Sequence, residues 1–124
     1  MDWYRPCSYD AEQKRLFHRA GSRRLKHLAV RLQFAPGHYD LRSNLGGIAV
    51  SGEITLHHEA NYIQVCQPAT RYDTGILIRT CRGRDDFCGG ANHFEPLRLL
   101  DDLPALAARV RKIIAQAASV SARV

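Results

Sequence analysis

The spacing of apolar residues changes twice along the chain. Over residues 11–32 apolar side chains recur every three to four positions, the spacing of an amphipathic helix. Over residues 48–82 apolar and polar residues alternate, which is the period of strands with one buried face. Helical spacing returns after Asp102. The pattern therefore predicts N-terminal helices, a central antiparallel sheet and a C-terminal helix.

The N-terminal helical region is predicted to divide at Gly21. Asp10 is a suitable N-cap with Gln13 three residues later, as in a capping box, and the first segment ends near Ala20. Ser22 can cap a second segment, so a kink or break is expected at this point. The residues expected to face the core are Leu16, Phe17, Ala20, Leu25, Leu28, Ala29 and Leu32.

Alternation predicts three strands, at residues 48–57, 62–67 and 75–82, and residues 39–42 can add a short fourth. The first strand is expected to turn Gly52 inward with its apolar neighbours. With helices before and after the meander, the prediction is an α+β fold whose helices cover one face of the sheet. The other face would be open to solvent, as antiparallel sheets allow.

Register follows from aligning the apolar faces, because a slip by one residue would turn Arg79 into the core. The predicted rows on the polar face are Glu53 with Cys66 and Leu77, Thr55 with Gln64 and Arg79, and His57 with Tyr62 and Cys81. Adjacent rows are close enough for Glu53 to reach Arg79 diagonally.

The C-terminal helix has the clearest boundaries. Asp101 or Asp102 is expected to cap it, and Pro104 suits its first turn. Its apolar stripe consists of Leu106, Val110, Ile113, Ile114 and Ala117. One domain is predicted over residues 1–124, with residues 1–9 and 119–124 expected to fray.

Charge adds a candidate partner to this fold. The 124 residues carry a net charge of +6, and residues 1–32 contribute +5 of it, from eight Lys or Arg less three acids. Such clustering favours an acidic partner, either nucleic acid or protein, although it also occurs on ordinary solvated helix faces. The cations expected to bind a polyanion are Arg15, Arg19, Arg23, Arg24 and Lys26.

The open sheet face is the second candidate surface, because its side chains are chemically more varied than an idle face requires. A glycine-rich connection over residues 82–93, typical of a binding loop, leaves from the same sheet. The residues predicted to bind a partner here are Glu53, Thr55, His57, Tyr62, Gln64, Arg79, Arg82, Arg84, Asn92 and His93.

Catalysis on that face is the alternative hypothesis. His57 would act as base, Glu53 and Arg79 would orient charges, and Cys81 would be the nucleophile, since a cysteine needs a nearby base to form a thiolate. A strand cysteine is also a common apolar filler, so no catalytic residue is assigned. A small hydrolase or transferase is the enzyme class that this set would suit.

Zinc ligation is a further possibility, with the candidates Cys66, Cys81, Cys88, His57, His58 and His93. Zinc sites usually begin with a closely spaced pair, and the sequence has no C-x-x-C. Neither a metal nor a cofactor is predicted. Without a bilayer-length apolar run or a secretory segment, the expected location is the cytoplasm, where the four cysteines would be thiols.

The segments GGIAVSGEITLHHEANYIQV and GILIRTCRGRDDFCGGANHF resemble those of short, uncharacterised proteins of bacterial genomes and mobile elements. The resemblance covers about the middle half of the chain and brings no catalytic residues with it. It implies a bacterial or phage setting. In such a setting we expect a non-enzymatic binding protein acting on nucleic acid or on a nucleic-acid-processing complex, for example as an inhibitor of host defence.

Overall fold

A computed structural model describes residues 11–46, 52–67, 75–82 and 90–122, with side chains as far as residue 118. The fold is α+β, with two α-helices and a five-stranded antiparallel sheet. In chain order the elements are α1 (Ala11–Arg31), β1 (Tyr39–Asn44), β2 (Glu53–His58), β3 (Asn61–Val65), β4 (Ile76–Thr80), β5 (Asn92–Glu95), a short 3₁₀ helix (Leu97–Asp101) and α2 (Leu103–Ala122). The predicted class is confirmed.

The sheet is a simple meander in which each strand pairs with the next along the chain. The prediction of three to four strands was one short. The segment expected at residues 39–42 is the edge strand β1, whereas β5 falls partly within the stretch expected to be a loop. Its four residues are too few for alternation to stand out, and pairing with β4 is what makes them a strand.

Both helices pack on one face of the sheet. The buried aliphatic residues of β2, β3 and β4 alternate with half-buried ones, and they join the apolar stripes of α1 and α2 in a single core. The fully buried large side chains are Phe17, Leu25, Leu28, Ile54, Leu56, Ile63, Ile76, Ile78, Leu97, Leu100, Leu106 and Ile113. The predicted side-chain alternation of the strands is thus confirmed.

The predicted interruption of the first helix is wrong, because α1 runs without a break from Ala11 to Arg31. Gly21 is a buried residue of α1, on the side that faces the core, and it does not end the helix. A glycine costs a helix only about 1 kcal/mol, which the packing of both halves on one sheet offsets. The proposed cap at Asp10 lies outside the described residues.

The C-terminal end of α1 closes with a Schellman motif. Gln33 has a left-handed φ of 63°, and the Phe34 N–H donates to the Ala29 carbonyl over 3.0 Å. Arg111 of α2 also donates to the Arg31 carbonyl at 2.6 Å. Both contacts supply donors to carbonyls that have no partner within the helix. The contact from Arg111 also joins this end of α1 to α2.

Asp102 is the N-cap of α2; it is one of the two residues, Asp101 and Asp102, that were predicted for this position. Its Oδ1 accepts the Ala105 N–H at 3.3 Å, whereas Asp101 instead pairs with Arg24. The helix continues to Ala122, so the first residues of the tail that was expected to fray are helical. Within the described part of the chain, neither helix is apolar enough over its length to cross a bilayer.

The inward position predicted for Gly52 is wrong. Its φ is +72°, and β2 begins only at the next residue, Glu53. A Cβ here would lie 2.1 Å from the Asn44 carbonyl oxygen, so only glycine lets the chain enter β2 beside the end of β1. The earlier part of the predicted strand, residues 48–51, lies outside the described residues.

Candidate functional site

The face of the sheet opposite the helices, called the open face below, carries two rows of side chains that cross all five strands. One row contains Asp40, His57, Tyr62, Arg79 and Asn92. The next contains Arg42, Thr55, Gln64, Leu77 and Phe94. The predicted pairing of Thr55 with Gln64 and of His57 with Tyr62 is confirmed.

The predicted register between β3 and β4 is wrong by two residues. Arg79 lies opposite Tyr62, and Leu77 lies opposite Gln64. A slip of two keeps every side chain on its own face, so aligning apolar faces does not exclude it. The shift moves Arg79 a further row away from Glu53, and the predicted diagonal contact between them is therefore wrong as well.

The open face is held together by contacts among its own side chains. The Arg79 guanidinium lies over the Tyr62 ring, 5.0 Å from its centre, and the His57 ring meets that ring edge-on at 5.2 Å. The Tyr62 hydroxyl donates to Gln64 Oε1 at 3.0 Å. Gln64 Nε2 in turn donates to Cys66 Sγ at 3.3 Å. Three strand residues and Cys66, which follows β3, thus form one chain of contacts from Arg79 to Cys66.

Burial raises the pKa of two side chains in this series of contacts, those of Tyr62 and Cys66. It raises the pKa of the Tyr62 phenol; the nearby Glu53 carboxylate adds to this rise and the Arg79 guanidinium opposes it. Burial also raises the pKa of the Cys66 thiol, partly offset by the hydrogen bond from Gln64. Both groups are held in their neutral forms, which is the opposite of what an activated nucleophile requires.

The predicted binding residues do not all reach the open face. His57 is on it but only 5% exposed, so little of its ring can meet a ligand. His93 was predicted to lie in the loop that borders the open face; it is instead in β5, pairs with Ile78 and shares the helix-covered face. Arg82 is exposed just beyond the end of β4, and Arg84 lies outside the described residues. Of the predicted binding residues, those that are half-buried or exposed on the open face are Glu53, Thr55, Tyr62, Gln64, Arg79 and Asn92.

The geometry around Cys81 does not match the catalytic alternative. Its thiol donates to the His58 carbonyl oxygen at 3.1 Å, next to the β2–β3 turn. The predicted row with His57 and Tyr62 is wrong, because Arg79 occupies that position. Among the described residues, no group of three His, Cys, Asp or Glu side chains could hold a metal ion.

The second surface is a stripe of cations on α1, called the basic stripe below: Arg15, Arg19, Arg23 and Lys26. All four are exposed, and helical geometry places them within an arc of about 80° over a length of about 17 Å. None of them makes a hydrogen bond or an ion pair with another described residue. Within the described part of the chain, no acidic side chain is paired with these four charges.

Arg24 does not belong to the basic stripe, although it was predicted to bind a polyanion with the other four cations. Its Nε is 2.8 Å from Asp101 Oδ1, and one of its Nη atoms donates to the Ala20 carbonyl. Nine residues from Arg15, it lies on the opposite side of the helix from the stripe. Arg24 therefore links α1 to the last residue of the 3₁₀ helix that precedes α2.

A cleft lies where the first half of α1 passes the edge strand β1. Its volume is about 450 Å³, and we call it the α1–β1 cleft; it is lined by Arg15, His18, Arg19, Ser22, Ser43 and Leu45. His18 is 4% exposed, and its Nδ1 lies 2.8 Å from Ser43 Oγ. The cleft was not predicted, because its two walls are about 25 residues apart in the chain. The only local signal was a histidine among apolar positions on a basic helix.

The two surfaces point away from each other. The core separates the basic stripe, on the outer side of α1, from the open face of the sheet. The two surfaces that were predicted to act together therefore lie on different sides of the molecule. Comparison of the sequence with family models, with curated proteins and with solved structures gave no match.

Proposed function

We propose that the protein is a non-enzymatic binding module that engages the phosphate backbone of nucleic acid through the basic stripe. One observation carries the proposal: four exposed cations lie along one side of a continuous helix, without partners among the described residues. Two of the three cations of α2, by contrast, have partners within the fold. Arg109 pairs with Glu95 at 2.7 Å, and Arg111 binds a carbonyl of α1.

The dimensions of the stripe suit a duplex. Double-stranded DNA carries one charge per about 1.7 Å of axis when both strands are counted, so a duplex length of about 17 Å carries about ten phosphate charges, part of them on the side that meets the stripe. Each cation that neutralises a phosphate releases condensed counterions, and this release drives binding. With four such contacts, the logarithm of the binding constant should fall linearly with the logarithm of the salt concentration, with a slope of about −3.6.

The resemblance of the central segments to proteins of bacterial genomes and mobile elements supports a setting for this module. We propose a cytoplasmic accessory factor of a phage or mobile element that modulates nucleic-acid machinery, for example by inhibiting host defence. A polyanion site fits such a role because host nucleases and their complexes work on nucleic acid.

A protein partner on the open face is the second candidate function. Phe94 is 60% exposed and follows Leu77 in its row, beside the Tyr62–Arg79 pair. Aromatic residues and arginine are the types most enriched in binding hot spots. The enzyme alternative has less support, because the thiols of Cys66 and Cys81 are tied to neighbouring groups and the described open face has no catalytic pair.

The test is a salt titration of binding to a short labelled DNA duplex, followed by fluorescence anisotropy between about 50 and 200 mM salt. The unmodified protein should lose about 100-fold in affinity over this range if four contacts form. The variant Arg19→Glu/Arg23→Glu should not bind measurably. The matched control, Arg98→Glu/Lys112→Glu, makes the same change in charge at exposed positions outside the stripe and should retain most of the affinity.

Salt-independent binding, or an equal loss in both double variants, would contradict the proposal. Equal loss would mean that only net charge matters. If no nucleic acid binds, the protein-partner candidate predicts that a captured partner is released by Tyr62→Ala or Arg79→Ala and not by the stripe variant.

A further inference from the structure

The α1–β1 cleft presents hydrogen-bond donors and positive charge from two separate elements. Arg15, Arg19 and Ser22 lie on successive turns of α1, and Ser43 faces them from β1. None of the six described lining residues is acidic. Arginine guanidinium groups and serine hydroxyls are the donors with which proteins commonly hold phosphate oxygens.

A partly buried contact joins the two walls of the cleft. His18 Nδ1 and Ser43 Oγ are 2.8 Å apart, and the His18 ring also meets Phe17 of the core edge-on at 5.7 Å. These contacts hold the end of β1 against α1, so the two walls are fixed before a ligand arrives. When the His18 proton is on Nδ1, the Ser43 hydroxyl proton is directed away from the ring and is available to an anion.

The charges in the cleft favour an anion over an empty site. Arg15 and Arg19 are four residues apart on one helix face, where like charges repel. An anion between the two guanidinium groups would replace that repulsion with two attractions. Both arginines also belong to the basic stripe, so a nucleic acid lying along the stripe brings its phosphates to the mouth of the cleft.

We propose that the α1–β1 cleft is a phosphate site, in which Arg15, Arg19, Ser22 and Ser43 hold one phosphate group of the bound nucleic acid. This inference rests on the proposed function and assigns the cleft a role that the stripe alone does not have. The phosphate has two possible sources, the 5′ end of a strand or an internal position of the backbone. In either case the serine hydroxyls recognise phosphate oxygens without adding charge.

The test separates the serines from the cations. We would measure binding of a 5′-phosphorylated and a 5′-hydroxyl oligonucleotide of the same sequence to the full chain and to Ser22→Ala/Ser43→Ala. If the cleft holds a terminal phosphate, the unmodified protein prefers the phosphorylated strand by about tenfold, and the variant loses that preference with its salt slope unchanged. If it holds an internal phosphate, both strands bind equally and the variant weakens both by about tenfold.

Two further variants keep these outcomes distinct. Ser22→Ala alone leaves the His18–Ser43 contact intact, so its effect on binding does not arise from a displaced β1. Arg23→Gln/Lys26→Gln removes stripe cations outside the cleft; it should lower the salt slope by about 1.4 with a single-stranded oligonucleotide, or about 1.8 with a duplex, and preserve any preference for the 5′-phosphate.

The cleft proposal is overturned if the serine variants bind both oligonucleotides as the unmodified protein does. In that case a salt slope that still depends on Arg23 and Lys26 leaves the proposed function standing. If the unmodified protein binds neither oligonucleotide, the proposed function fails, and inorganic phosphate becomes the probe. Amide NMR shifts at Ser22, Ser43 and Leu45 with phosphate, and not with chloride at equal ionic strength, would then support the cleft; their absence would overturn it.

Discussion

The basic stripe of α1 and the open face of the sheet both meet solvent, but their polar side chains are used differently. On the open face, Arg79 lies over Tyr62, and hydrogen bonds continue from Tyr62 through Gln64 to Cys66. On the stripe, Arg15, Arg19, Arg23 and Lys26 have no such partner among the described residues. The polar side chains of the open face thus interact with one another, whereas the cations of the stripe do not interact with any described residue.

This difference decides which surface has more to offer a polyanion. A guanidinium that already interacts with a neighbouring ring must give up that contact or share it when a ligand binds, whereas a fully solvated cation gives up only water and counterions. The number of arginines on a surface is therefore a poor guide to its function. Whether each arginine has a partner within the fold is more informative.

The largest expected difference is in binding. Removing two stripe charges, in Arg19→Gln/Arg23→Gln, should reduce affinity for duplex DNA by about 100-fold at about 50 mM salt, because two phosphate contacts and their counterion release are lost. Removing two open-face charges, in Arg42→Gln/Arg79→Gln, should reduce it by less than about threefold. Anisotropy titrations measure both, and equal losses would show that the two surfaces do not differ in this respect.

Stability should show the opposite order: changes on the open face should reduce it more than changes on the stripe. Tyr62→Ala removes a half-buried ring that packs against Arg79 and His57, and should lower the free energy of unfolding by about 2 kcal/mol. Arg23→Ala on the exposed stripe should change it by less than about 0.5 kcal/mol. Urea denaturation gives both values. A stability loss in Arg23→Ala as large as that in Tyr62→Ala would mean that the stripe is part of the structural framework.

A pH dependence should follow from the raised pKa of Tyr62. Between the ordinary tyrosine pKa of 10.0 and the higher folded value, the unfolded chain loses this proton while the folded chain keeps it. Stability from this group is therefore complete below pH 10 and declines as pH rises through the folded pKa. Tyr62→Phe should lack this part of the decline in urea unfolding at a series of alkaline pH values.

The same titration can test the contact with Arg79. Because this guanidinium lowers the pKa of Tyr62 against the larger effect of burial, Arg79→Gln should move the pKa of Tyr62 further up. An unchanged pKa of Tyr62 would show that the two side chains do not interact in solution.

The smallest effect concerns the Cys66 thiol at the end of the network. Burial and the Glu53 carboxylate raise the pKa of this thiol, so near pH 8 it should be alkylated several-fold more slowly than a free thiol. Glu53→Gln should lower the pKa and speed the reaction, and mass spectrometry of the alkylated peptide identifies the site. Alkylation as fast as that of a free thiol would mean that Cys66 is not buried in solution and that its contact with Gln64 does not form there.

Elements with strong periodicity could be predicted well. The stripe of α2 from Leu106 to Ile113 and the inward positions Ile54, Leu56, Ile63 and Ile78 are buried as the spacing indicated. β5 was missed because four residues show too little alternation, and a break in α1 was wrongly inferred from Gly21. Propensity at one residue counts for little when the residues on both sides pack against the same sheet.

The candidate site could be predicted only in part. The basic residues of α1 were identified, but not that Arg24 would turn to Asp101 while Arg23 faces solvent. Arg79 was placed on the correct face and in the wrong row, since a slip of two residues between β3 and β4 leaves the apolar pattern unchanged. His93 was taken for a loop residue and lies on the covered side of β5.

What the amino-acid sequence determined by itself is therefore local: which segments are helical or extended, which side of each is apolar, and that positive charge is concentrated near the N-terminal helix. The tertiary structure alone decided the register between β3 and β4, the partners of Arg24 and Arg79 and the meeting of Ser22 with Ser43 in one cleft. The physical reason is that periodicity depends on neighbours a few residues apart. Register, ion pairs and clefts depend on residues that only the packing of distant segments brings together.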